Sequence, residues 1–111
     1  MAVTLTRLAS TLLGATTATV YTAPHAGRAR IDAMTITNTD TAAQTFSIYL
    51  VGASGTASDA NMLVKTRTVA AGQTYRVREA VGQVLHSEGT IQAVASTANK
   101  LAIYASGVEV T

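Results

Sequence analysis

From residue 17 onward, apolar and polar side chains alternate in short runs, and no stretch shows the three-and-four spacing of an amphipathic helix. Such period-two runs predict half-buried strands, because successive side chains of a strand leave opposite faces. The first spans 17–22 and stops at Pro24 and Gly27, since proline cannot donate to a ladder and glycine accepts turn geometry. A second covers 28–39. Ala29, Ile31 and Ala33 hold its inner phase until Met34 and Ile36 take over, a flip that predicts a β-bulge near 33–34. Residues 38–41 carry Asx-turn chemistry, after which Phe46, Ile48 and Leu50 alternate with Thr45, Ser47 and Tyr49. The second and third strands are therefore expected to pair antiparallel.

Residues 52–60 lack a large apolar anchor and predict a surface loop. Segments 62–69 and 74–79 flank Ala70-Ala71-Gly72-Gln73 and read as a hairpin. A short segment at 81–85 and a turn at Glu88-Gly89 lead into a strand over 90–95. The final strand, 101–110, changes apolar phase at Gly107. Residues 1–14 fit an arm that packs on a neighbouring subunit, an edge strand, or a short helix. The remainder, 15–111, is expected to be one all-β domain: a single antiparallel β-sandwich of about seven or eight short strands, immunoglobulin-like or jelly-roll-like.

Composition narrows the chemistry. Charged residues form 13% of the chain, and the net charge of +2 rests on eight basic against six acidic side chains. That balance is not the concentrated basic footprint of a nucleic-acid binder. Cysteine is absent, which excludes a disulfide framework and a thiolate metal site. Ser10 and Thr11 interrupt the apolar run after Arg7, unlike the core of a signal peptide, and no stretch approaches the roughly twenty apolar residues needed to cross a bilayer.

His25 and His86 stand apart from any acidic cluster and are expected in surface turns; no metal or other cofactor is implied. No serine sits in a nucleophile elbow and no carboxylates pair in sequence, so the chain is not expected to be an enzyme. The glycines are scattered at turns and form no phosphate cradle. Tyr21, Tyr49, Tyr75 and Tyr104 fall within strands and are expected to pack or to meet a neighbouring subunit, an outward Tyr49 offering the alternative of a sugar-stacking platform.

Three basic pairs are the most informative polar feature: Arg28 with Arg30, Lys65 with Arg67, and Arg76 with Arg78. The spacing of two places each pair on one strand face. With a hairpin centred on Ala71-Gly72, Arg67 faces Arg76 and Lys65 faces Arg78, an opposition of like charges costing some tenths of a kcal/mol. All six are candidate partner-binding residues. Either a solvated face tolerates the repulsion, with Asp32 or Glu79 nearby, or an acidic partner docks there.

Tyr21-Thr22-Ala23-Pro24-His25-Ala26-Gly27, then Ile31, Met34-Thr35-Ile36-Thr37-Asn38 and Phe46-Ser47-Ile48-Tyr49-Leu50-Val51, form a pattern that resembles small β-sandwich virion structural proteins of tailed bacteriophages. Ala71-Gly72-Gln73-Thr74-Tyr75 and Gly89-Thr90-Ile91-Gln92-Ala93 resemble the downstream turns, so the likeness covers most of the chain from Leu13 onward. His25 stands where a small or flexible residue is expected, and no catalytic motif carries over. The resemblance implies a non-enzymatic protein of the virion, foremost a homotrimeric capsid decoration or cement protein that contacts the major capsid protein or other virion proteins and stabilises the head. A neck, tail or fibre component with a receptor- or carbohydrate-binding role is the alternative. Neither reading involves a membrane or nucleic acid.

Overall fold

In the computed structural model, which describes residues 2–111, the chain forms nine strands: β1 (Val3–Leu12), β2 (Ala18–Thr22), β3 (Arg28–Asn38), β4 (Gln44–Val51), β5 (Met62–Val69), β6 (Thr74–Arg76), β7 (Val84–Leu85), β8 (Thr90–Ala95) and β9 (Leu101–Val110). Single 3-10 turns occupy Asp59–Asn61 and Arg78–Ala80. One sheet has the order β1-β9-β3-β6, with β7 also on β3, and the other has β2-β8-β4-β5. All pairings are antiparallel. The expected β-sandwich is what the chain forms.

Its topology follows from the pairings. Both β6 and β7 lie against β3 and act as one interrupted strand, giving eight in all. The first then pairs with the last, the second with the seventh, the third with the sixth and the fourth with the fifth. That is one long hairpin wrapped into two sheets, a jelly roll.

This wrapping overturns two sequence expectations. Most chain-adjacent strands of a jelly roll lie in different sheets, and β4 with β5 is the sequence-local pair here. Thus β3 and β4 do not pair, and the largely exposed segment between them, 39–43, arches from one sheet to the other. The buried Asn38 holds that crossing: its Nδ2 donates to the carbonyls of Ala42 and Val69 at 2.9 Å each, and its Oδ1 accepts the Asp40 N–H. Nor do β5 and β6 form a hairpin, because residues 70–73 arch from the second sheet to the first. Arg67 therefore does not face Arg76, and Lys65 does not face Arg78.

The bulge expected in β3 is present as a register shift between Ile31 and Ala33, but Ala33 is exposed and Met34 resumes the inner phase. Similarly, Leu50 is half-buried while Val51 is buried. The N-terminal segment is an edge strand on β9, with its own bulge at Leu8; Met1 lies outside the described residues.

Between the sheets, Ile31, Met34, Ile36, Phe46, Ile48, Ile91, Leu101 and Ile103 are 0–1% exposed. Each such side chain contributes about 1.5–3 kcal/mol through burial. Gly107 fixes how closely β9 approaches β3: a Cβ there would lie 1.9 Å from the Arg30 carbonyl oxygen and 3.1 Å from Leu8 Cδ1. The bulges at Leu8 and Asp32 flank this contact on either side.

Candidate interaction surface

Along β9 the register is continuous, so its faces can be read from alternation. Ala105 and Ile103 are core residues, which places Ser106, Val108 and Val110 on the outside of the first sheet. Their partners complete two apolar rows. Val3, Val110 and Arg28 lie side by side in one; Leu5, Val108, Arg30 and Val84 form the next. Leu5, Val3 and Val84 are exposed, at 81%, 64% and 49%, while Val108 is buried at 8% and Val110 is half-buried between them. Further along, Arg7 neighbours Ser106 and Ala33, and Ser10, Tyr104, Thr35 and Arg76 form a polar row. A shallow groove of about 340 Å³ runs among Arg28, Arg30, Val84, Val108 and Val110.

Electrostatically this face is lopsided. It carries Arg7, Arg28, Arg30 and Arg76 against Asp32 alone, a net of +3 on a chain whose total is +2. Asp32 accepts a bond from Arg30 Nε at 2.8 Å, and this contact raises the guanidinium pKa further. Among the described residues, Arg7, Arg28 and Arg76 have no carboxylate partner. Both lysines lie elsewhere: Lys65 on β5 and Lys100 just before β9.

The remaining sequence candidates are dispersed. Lys65 is exposed on the second sheet. Arg67 turns the other way, because a bulge at Lys65 and Thr66 breaks the spacing rule; Thr66 takes φ +46° and its N–H donates to Ser47 Oγ at 2.9 Å. Arg67 thereby comes level with Phe46 and reaches across the flank of the sandwich. Its Nη1 donates to Glu79 Oε2 at 2.7 Å and to the Tyr75 hydroxyl, while the guanidinium sits 5.1 Å from the Tyr75 ring centre. Tyr75 in turn packs on Phe46 with ring centres 6.0 Å apart. Glu79's carboxyl is held below its ordinary range, first by its own backbone N–H and then by Arg67. Its other oxygen, Oε1, is enclosed and has no partner among the described residues. Arg78 is exposed in the 3-10 turn.

The other candidate chemistry resolves into structural contacts. Tyr21 donates across the sheets to Glu109 Oε2 at 2.5 Å, and burial, then this bond, pushes the phenol pKa well above its usual range. Tyr49 and Tyr104 lie on opposite sheets and form no common platform. His25 and His86 are in loops, as expected, yet they are not isolated: both line one open groove of about 700 Å³ with Arg28, Ser87 and Val110. His25 Nδ1 is 3.3 Å from Glu88 Oε1, but no group of three or more metal-ligating side chains comes together among the described residues.

The apolar rows escaped the sequence reading. Their signal was the change of apolar phase at Gly107, which on an unbroken strand leaves Val108 and Val110 on the outer face beside Arg30 and Arg28. Comparison with protein-family models, curated proteins and solved structures finds no match to this chain.

Proposed function

We propose that this chain is a non-enzymatic structural protein of a tailed-bacteriophage virion, serving as a decoration or cement protein on the capsid. The observation that carries the proposal is the outer face of the first sheet, where Arg7 and Arg28, which have no carboxylate partner, share the surface with exposed Val3, Leu5 and Val84. Such a face fits the arginine-rich, apolar centre of a protein interface. The sequence resemblance supplies the particle, and jelly rolls recur in viral capsid domains. Fold alone does not assign function, so the weight rests on the face. Self-association as a homotrimer belongs to the same proposal, and the unpaired edge of β1 is available for it.

Labelled electron microscopy of intact particles tests the reading. The expected result is label distributed over the head. Label confined to the neck or tail moves the protein to an appendage, and its absence from purified particles overturns the proposal. Purified chain incubated with peptides, phosphoesters and bacterial glycans is expected to release no product; turnover that survives repurification makes it an enzyme.

A further inference from the structure

We infer that the outer face of the first sheet is the attachment surface, and that its occupant is an acidic protein surface with an apolar centre. The inference rests on the proposed structural role only in taking the partner for a component of the particle; the character of the face is read from the chain itself. It also narrows the six basic sequence candidates to Arg28, Arg30 and Arg76, and adds Arg7.

Charge selects against a second copy as the occupant. Stacking two such faces would bring +3 against +3, with Asp32 already engaged by Arg30. The aliphatic side chains select against nucleic acid. A phosphate backbone offers nothing to Leu5, Val3 and Val84, whereas the centre of a protein interface desolvates them. The kind of cation agrees. Every basic residue on the face is arginine, and both lysines are off it. Phosphate contacts are made by lysine and arginine alike, but protein interfaces favour arginine and are depleted of lysine. Arginine also binds carboxylates bidentately, and only Nε of Arg30 is engaged by Asp32.

Size sets the strength. Four strands of about 4.8 Å width and ten residues at about 3.3 Å give a face of roughly 600 Å², somewhat below the area that one partner contributes to a standard interface. A single copy should therefore attach with modest strength, and firm attachment should depend on several linked copies. The groove beside His25 and His86 shares Arg28 and Val110 with this face, so the attachment surface can extend over that end of the sandwich.

The test uses the full chain and two defined probes: a peptide alternating Glu and Leu, and a DNA oligonucleotide of the same charge, each titrated while amide shifts are followed by NMR. The peptide is expected to shift amides of β1, β9, β3 and β7. Arg7→Glu with Arg28→Glu should weaken it at least tenfold, Leu5→Ser severalfold, and Lys65→Glu with Arg78→Glu not at all, with melting curves confirming that each variant folds. Oligonucleotide binding that is tighter and indifferent to Leu5→Ser assigns the face to nucleic acid instead. Shifts confined to the second sheet, or no saturable binding of the peptide, reject the surface. Dimerisation abolished by Arg28→Glu would make a second copy the occupant. Rebinding to particles stripped of the protein separates this inference from the role. If parent and the Arg7→Glu, Arg28→Glu variant rebind equally, the face is wrong and the role stands. If the chain is absent from particles while the peptide still maps to the face, the role fails and the surface stands.

Discussion

Arginines on the outer face of the first sheet and the arginine on the flank of the sandwich occupy opposite electrostatic surroundings. Arg28 projects from β3 between strands that offer it Val110 and no acid. Arg67 projects from a bulge into the gap between the sheets, where Glu79 and the Tyr75 hydroxyl accept its hydrogen bonds and the Tyr75 ring centre lies 5.1 Å away. One arginine is left for a partner, and the other has found its partners at home. What separates them is the phase of a bulge and the sheet that lies across from it, not the local spacing of basic residues. Substitutions at the two sites should accordingly affect different observables, stability on the flank and attachment on the face.

The largest effect is expected from the residue that supports the face. Gly107→Ala would put a methyl group 1.9 Å from the Arg30 carbonyl oxygen, a backbone atom that can move only with β3. Overpacking that shifts a strand costs about 1–3 kcal/mol or more. Urea denaturation should show a loss of at least that size, with disturbed amide shifts along β3 and β9. The loop glycine Gly72 has φ +71° but open space around it, so Gly72→Ala should cost only about 1 kcal/mol. Equal losses at the two glycines would mean that β9 does not hold β3 by close approach.

Next comes the flank. Arg67→Gln is expected to lower stability by about 1 kcal/mol, since the ion pair is roughly one-third exposed and screened by solvent while the ring contact adds a further part. A double-mutant cycle with Glu79→Gln should show that the two losses are coupled. The pH dependence has a definite sign. Glu79's folded pKa is depressed, so its contribution is complete above the ordinary carboxylate range and is lost as pH falls through the folded value. A parent protein whose acid unfolding matches that of Glu79→Gln would remove the contact from the stability account.

How much of this was legible beforehand depends on whether a feature is local. Strands 90–95 and 101–110 were read with the bounds they have, because alternation and turn residues mark them without reference to the rest of the chain. The bulge near Ala33 was legible for the same reason. Pairing was not legible: a jelly roll joins β1 to β9 and β3 to β6, and nothing within a window around residues 70–73 distinguishes an arch between sheets from a hairpin within one. Arg67 was misread for a second local reason. A bulge containing Thr66 at positive φ contradicts the preference of a β-branched residue, so composition argued against the conformation that turns Arg67 inward. The basic character of Arg28 and Arg30 was visible, but their apolar neighbours come from the two ends of the chain and from β7, and meet only on the folded sheet.

A comparable effect belongs to another bond between the sheets. Tyr21 donates to Glu109, and its phenol pKa is raised by burial and by that acceptor. A raised folded pKa means that the contribution is fully present below the unfolded value of 10.0 and is lost as pH rises through and beyond it. Tyr21→Phe should therefore be less stable than the parent at neutral pH by about 1 kcal/mol, and the difference should shrink in alkaline solution. A gap that widens with pH would show that the hydroxyl is not a donor there.

The smallest expected change in stability is at the face, and it completes the contrast. Arg28→Gln removes a charge that has no carboxylate neighbour and keeps much of the side-chain stem beside Val110. Surface substitutions of this kind stay within about 0.5 kcal/mol, and relief from the other arginines of the face favours a slight gain. Thermal melts at low and high salt should show it: any gain appears at low ionic strength and disappears as salt screens the repulsion. Arg67→Gln under the same conditions should lose stability at both ionic strengths, because the ring contact and hydrogen bonds of Arg67 are lost whatever the screening. If Arg28→Gln instead proves as damaging as Arg67→Gln, the face arginine is anchored within its own chain, and the face no longer offers an unneutralised charge to an acidic partner.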